Sequence, residues 1–152
     1  MLHNNNMSGN QLKSKTALKN AENLCETRGI RLTDPRRNVL TCLLKAGSPL
    51  KAYDIVEKMG DVKPMTVYRA LEFLSQNGLV HRIESLNAYI ACAESHCAHS
   101  DSQYLVCDTC GTVSELHNHD IDHFIASTIK KSGFRLTHKT VELHGTCESC
   151  QR

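Results

Sequence analysis

Pro64-Met65-Thr66-Val67-Tyr68-Arg69-Ala70-Leu71-Glu72-Phe73-Leu74-Ser75-Gln76-Asn77-Gly78, followed by Leu79-Val80-His81-Arg82-Ile83-Glu84, changes hydrophobic period at Gly78. Before the glycine, Val67, Ala70, Leu71 and Leu74 form the inner stripe of a helix that Pro64 opens and Gly78 closes. After it, alternation marks a strand, and Ala88-Tyr89-Ile90-Ala91-Cys92 supplies its partner across Ser85-Leu86-Asn87. A helix followed by a hairpin is the end of a winged helix-turn-helix.

The chain upstream completes that unit. Leu12, Ala17, Leu18, Ala21, Leu24 and Cys25 recur at helical spacing over Gln11 to Arg28, and Gly29 stops the run. Asp34-Pro35 opens a second helix with Val39, Leu40, Leu43 and Leu44, ended by Gly47-Ser48-Pro49. A third, short helix runs from about Ala52 to Met59. Residues 1–10 read as a disordered tail, 11–84 as the winged-helix DNA-binding domain, 85–94 as wing strand and hinge, and 95–152 as a metal-binding dimerisation domain.

In helix-turn-helix modules the second helix of the pair enters the major groove and presents residues near its start to base edges. Here that helix is Pro64 to Asn77. Arg69 is its best base reader, because a guanidinium makes two hydrogen bonds to a guanine edge. Tyr53, Thr66 and Tyr68 are suited to fixing the DNA backbone, and Arg36 and Arg37 to meeting phosphates. Charge agrees: residues 1–83 carry 13 Lys and Arg against 7 Asp and Glu, whereas residues 84–152 carry 5 against 9. A basic half next to an acidic half suits one polyanionic partner, double-stranded DNA.

The C-terminal part carries a different chemistry. Cys107-x-x-Cys110 and Cys147-x-x-Cys150 provide four thiolates in two knuckles, the ligand set of a closed tetrahedral zinc site. A redox centre needs only one such pair, near a helix start; two pairs separated by a whole α+β unit suit structural zinc. Around them, Gln103 to Cys107 and Thr112 to Leu116 alternate as a hairpin, Asp120 to Lys131 repeats as a helix, and Phe134 to Leu143 reads as a last strand. The fold class is therefore α+β: a winged helix followed by a small α/β dimerisation domain with a structural zinc. So small a unit has a thin core and strand edges to cover, which a homodimer provides.

A second, more open ligand set lies upstream and beside the first knuckle: His81, Cys92, His96, His99 and Glu115. A two-residue turn at Leu86-Asn87, or a four-residue loop from Ser85 to Ala88, pairs His81 with Cys92. Directly opposed side chains lie about 5 Å apart at Cβ, close enough to share a metal. A thiolate beside imidazole and carboxylate suits zinc. His99 is the expected loop ligand, with His96 as the alternative, and His117 and His119 form a weaker extra cluster. Cys25 and Cys42 read as small core residues.

No apolar run approaches membrane-spanning length, and Met1 to Asn10 lacks a signal-peptide stretch, so a cytoplasmic location without membrane contact is expected. There thiols stay reduced and serve as ligands. A zinc hydrolase or deaminase is disfavoured: there is no H-E-x-x-H, and no H-x-E with P-C-x-x-C, so the general acid or base of an enzyme is missing. A redox sensor using Cys92 and Cys97 is a further alternative.

From about Leu18 to Cys150 the chain resembles the ferric uptake regulator family of metal-responsive bacterial repressors. Arg31-Leu32-Thr33-Asp34-Pro35-Arg36, Pro64-Met65-Thr66-Val67-Tyr68-Arg69-Ala70-Leu71 and Cys107-Asp108-Thr109-Cys110-Gly111 carry the resemblance. Val80-His81-Arg82-Ile83-Glu84-Ser85 and His144-Gly145-Thr146-Cys147 look most like its zinc-sensing branch. The resemblance implies a homodimeric repressor that binds palindromic operator DNA and controls zinc uptake genes. It implies two zinc ions per subunit: a structural one on Cys107, Cys110, Cys147 and Cys150, and a regulatory one on His81, Cys92, a loop histidine and Glu115. It places base contacts on Tyr53 and Arg69. The segment between Tyr53 and Pro64 is shorter than in enterobacterial relatives, leaving Glu57 as the one obvious partner there for a salt bridge between dimers. Iron or peroxide sensing is the family's alternative, with Cys92 against it.

Overall fold

A computed structural model of the chain describes residues 7–92, 103–116, 118–137 and 139–152. They fall into two compact units, Met1–His96 and Cys97–Arg152.

The first unit runs α1 (Met7–Thr27), α2 (Asp34–Ala46), α3 (Ala52–Met59), α4 (Pro64–Gln76), β1 (Val80–Ile83) and β2 (Ala88–Ala91). Helix α1 reaches back to Met7, into the segment expected as tail; residues 1–6 lie outside the described residues. Thr33, not Asp34, is the residue before α2, so Asp34 sits in the first turn, where a negative charge complements the helix dipole. Gly47 ends α2 in the left-handed conformation, its N–H donating to the Leu43 carbonyl at 3.1 Å. Asp54 accepts from the Lys51 N–H at 3.1 Å and so caps α3.

These helices close on one apolar core. Val39, Leu40 and Leu43 of α2 meet Ile55 of α3 and Val67, Ala70, Leu71 and Leu74 of α4, with Ala21 and Cys25 of α1 at the edge. Each fully buried Leu, Ile or Val side chain contributes about 1.5–3 kcal/mol relative to exposure, so this stripe fixes the pose of α4. Arg36 reinforces it: its guanidinium lies 3.4 Å from the centroid of the Phe73 ring, and its Nη1 donates to the Arg31 carbonyl at 2.7 Å.

The wing differs from expectation in register. Ile83 pairs with Ala88, Arg82 with Tyr89, His81 with Ile90 and Val80 with Ala91. The loop is Glu84 to Asn87, closed by Asn87 at φ 48°, a left-handed position that asparagine tolerates better than most residues. The Asn87 side chain accepts from Arg82 at 2.9 Å, and the Asn87 N–H donates to the Glu84 carbonyl at 3.1 Å. Placing the loop one residue earlier slides the pairing by two. His81 and Cys92 are therefore diagonal, not opposed; the even shift keeps both on one face. Leu50 adds an antiparallel bridge to Tyr89 on the outer side of the wing.

The second unit contains β3 (Gln103–Cys107), β4 (Val113–Leu116), α5 (His119–Lys131) and β5 (Val141–Gly145). Its sheet order is β4-β3-β5, with β3–β4 antiparallel and β3–β5 parallel. A parallel partner requires a crossover, and the segment from α5 to β5 supplies it. This corrects the last strand: Phe134 to Leu143 alternates in the right way, but pairing with β3 begins only at Val141. Asn118 caps α5, accepting from the N–H groups of Asp120 and Ile121 at 2.9 and 3.3 Å. Tyr104, Val106, Cys107 and Gln103 are buried, yet no residue of α5 is.

Candidate metal centres and nucleic-acid interface

Cys107 ends β3 and Cys110 lies in the turn that follows; the chain after β5 carries Cys147 and the 3-10 turn Glu148–Cys150. The β3–β5 pairing brings the two knuckles together, Cys107 lying opposite Gly145. The four sulfurs all lie within 4.8 Å of one another, and Cys110 Sγ and Cys147 Sγ are 3.7 Å apart. Zinc–sulfur bonds of about 2.3 Å in a tetrahedron put sulfurs about 3.8 Å apart, so the cluster fits a zinc ion.

Local bonding favours the anionic form at the two sulfurs of the first knuckle. The Cys147 N–H donates to Cys107 Sγ at 3.3 Å, and with further N–H donors from the first knuckle this pulls the Cys107 thiol down to about 6. Thr112, 3.1 Å from Cys110 Sγ, lowers the Cys110 thiol. Cys150 is pushed up to about 12, first through its hydrogen bond with Cys147 and then with Cys110, as expected where four thiols crowd together. A divalent ion held by the four sulfurs would supply the positive charge that lets all of them stand as thiolates.

Two neighbours of this cluster were not anticipated. Asp108, inside the first knuckle, lies 2.8 Å from His144 Nδ1, and Glu142 lies 3.6 Å from its Nε2. The Asp108 hydrogen bond raises the His144 pKa. Across the unit, the buried Gln103 amide donates to the Asn118 carbonyl at 3.1 Å and to Asp122 at 2.8 Å, and Asp122 also takes Lys139. Only topology joins these residues; no local spacing signals them.

Of the second ligand set, His81 is half-buried in β1 with its Nε2 enclosed, and Cys92 follows β2, its N–H donating to the Leu79 carbonyl at 3.0 Å. Glu115, in β4, sits opposite Tyr104. His81 and Cys92 belong to the first unit and Glu115 to the second. Cys92 is disulfide-bonded, and a sulfur so held offers no thiolate; ligation through it requires the reduced form. His96, His99 and His117 lie outside the described residues; His119 begins α5. Among the described residues, only the four cysteines gather as a cluster of three or more ligands.

On the first unit, α4 turns Tyr68 and Arg69 outward while Thr66 is half-buried. Tyr53, on α3, is 65% exposed, and its hydroxyl donates to Glu57 at 2.6 Å. The two α2 arginines are engaged within the fold. Arg36 stacks on Phe73; Arg37 pairs with Glu22 at 2.8 Å and Asp34 at 3.3 Å. Cys25 is core, its thiol raised by burial, whereas Cys42 is half-buried and lines a 450 Å³ surface cavity with Lys45 and Lys58.

The model of the ferric uptake regulator family matches residues 27–144. The chain belongs to that family. A zinc uptake regulation protein of Escherichia coli (strain K12) is 36% identical to this family member over 137 residues, covering 88% of this chain and 80% of its own length. A solved structure described as a zinc uptake regulator complexed with zinc and DNA matches at TM-score 0.84 and 35% identity, over 91% of this chain and 95% of its own. The crystal structure of holo XcZur matches at TM-score 0.84 and 39% identity, over 88% and 96%. No described helix of this family member is long and apolar enough to cross a membrane.

Proposed function

We propose that this family member is a zinc-responsive repressor that binds palindromic operator DNA as a zinc-loaded homodimer and controls zinc uptake genes. The observation that carries this reading is 36% identity, over 88% of the chain, to a zinc uptake regulation protein. Residues 11–84 read DNA, 85–94 form the wing strand and hinge, and 95–152 dimerise. Two zinc ions are held per subunit. Cys107, Cys110, Cys147 and Cys150 hold the structural ion, which supplies folding free energy. His81, reduced Cys92, Glu115 and a loop histidine, His99 or His96, hold the regulatory ion, which favours the DNA-competent arrangement. Arg69 and Tyr53 contact bases; Thr66 and Tyr68 contact the DNA backbone. Arg36 and Arg37 reach phosphates with the N–H groups left over from their internal bonds.

Zinc that promotes DNA binding must itself be bound more tightly in the presence of DNA, by the same factor. The test is zinc per subunit by elemental analysis, alongside duplex binding as free zinc is varied. Two zincs, with only the weaker controlling DNA, are expected; Cys92→Ser that binds duplex zinc-dependently with unchanged affinity overturns the regulatory site. A ferrous sensor would respond to iron instead.

The disulfide at Cys92 favours redox control as a second reading. In it, oxidation removes the Cys92 ligand and releases DNA. Peroxide that lowers DNA binding at saturating zinc, reversed by thiol, supports it; indifference to peroxide excludes it.

A further inference from the structure

The first unit holds a polar pair on the exposed face of α3. Tyr53 and Glu57 are one helical turn apart, both exposed, and the hydroxyl donates to the carboxylate at 2.6 Å. A carboxylate at neutral pH has no proton to give, so the hydroxyl must be the donor. The bond and the charge behind it also raise the Tyr53 pKa. The phenolic oxygen is left with lone pairs alone, next to a negative charge.

That polarity decides what Tyr53 can meet on DNA. Phosphate oxygens are acceptors carrying negative charge, so both the committed proton and the Glu57 carboxylate disfavour a backbone contact. In the major groove, guanine offers N7 and O6 and thymine offers O4, all acceptors, and adenine offers an acceptor at N7 beside its amino group. Adenine N6 and cytosine N4 are amino donors. Arg69 on α4 has the opposite character, with donors only, and suits guanine.

We propose that Glu57 is a positioning residue that makes Tyr53 an obligate acceptor, so that the pair selects an amino-bearing base, adenine or cytosine, in the major groove. The inference rests on the DNA-binding function proposed above. The base contact proposed for Tyr53 thereby gains a polarity: the Glu57 bond disfavours the backbone contact that residue type alone suggested and makes the hydroxyl an acceptor on the bases. It also gives Glu57 a role within each subunit.

Selection of duplexes from a randomised library by full-length, zinc-loaded protein tests this, comparing the unsubstituted chain with Tyr53→Phe, Glu57→Ala and Glu57→Gln. The unsubstituted protein should favour adenine or cytosine over guanine or thymine by about fivefold or more at one position per half-site. Tyr53→Phe should erase that preference and leave the others. Glu57→Ala frees the hydroxyl proton, so the preference for adenine over guanine and for cytosine over thymine should fall below about twofold or reverse. Glu57→Gln, whose amide can accept or donate, should fall between. A role of Glu57 in folding or overall charge shifts all duplexes alike and leaves base ratios unchanged. The inference is overturned if Glu57→Ala keeps the full preference for adenine over guanine and for cytosine over thymine, or if the position lost in Tyr53→Phe favours guanine or thymine in the unsubstituted protein. Unchanged ratios in Tyr53→Phe remove Tyr53 as a base reader, and with it this inference, while Arg69 stands. Failure of the unsubstituted protein to select any sequence removes the repressor function as well.

Discussion

Asp122 receives Lys139 Nζ and the Gln103 amide on one carboxylate oxygen, and the Lys139 and Asp122 side chains are only 9% and 19% exposed. The Lys139 bond is the largest cause holding the Asp122 pKa below its ordinary value. A carboxyl whose folded pKa is depressed adds stability above its unfolded pKa and loses it as pH falls through the folded one. Asp122→Asn leaves the Lys139 ammonium largely enclosed without its counter-charge, a change that costs about 3 kcal/mol. Urea unfolding should show that deficit at pH 7, shrinking as pH falls below the usual carboxylate range of about 4. Thiolate protonation releases zinc from both proteins at low pH, so the difference between them isolates Asp122. A deficit independent of pH would mean lost packing in place of lost charge.

Helix α5 carries Ile121, Phe124, Ile125 and Ile129 at helical spacing, yet none is buried, and Phe124 is 69% exposed. On the adjacent sheet Leu105 and Leu143 are paired neighbours and also exposed. Such faces on one small unit match a symmetric partner, in which each substitution acts twice. Phe124→Glu should cost about 2 kcal/mol per copy, raising the dimer dissociation constant roughly a thousandfold in sedimentation equilibrium while the structural zinc stays bound. Unchanged association would place the interface elsewhere. The helices were legible because Leu40, Leu43, Leu71 and Leu74 repeat with the period of the element that buries them. The start of strand β5 was not, because Phe134 and Leu136 alternate as a strand would, and only the partner β3 decides where pairing begins. The wing register turned on Asn87, whose left-handed φ closes the loop one residue before the place that alternation suggests. The gathering of the four cysteines was legible from the spacing of the two pairs; the Asp108–His144 pair, and the bonds of Gln103 and Lys139 to Asp122, form only through the tertiary fold and left no periodic trace.

The two units are held together internally by different means. The first has a continuous core from Ala21 to Val80, whereas among its described residues the second buries Gln103, Tyr104, Val106 and Cys107 and no part of its helix. A unit of about fifty residues with so little enclosed apolar surface falls below what hydrophobic burial alone sustains. Zinc on the four thiolates, as proposed above, would supply the difference, since binding to a site that exists only when folded is folding free energy, about 10–16 kcal/mol for structural sites near neutral pH. Cys110→Ser, or full chelation, should therefore unfold the second unit and leave the first intact. Hydrogen exchange followed by mass spectrometry reads this directly. Amides of β3, β4 and β5 should lose protection, while those of α2 and α4, around Leu43 and Leu71, keep it. Dimerisation should vanish in the same sample, because the faces of α5 and β5 exist only on the folded unit. Retained protection across β3–β5 in zinc-free Cys110→Ser would show that the sheet stands without metal, and would return the four cysteines to some role other than holding this half of the molecule together.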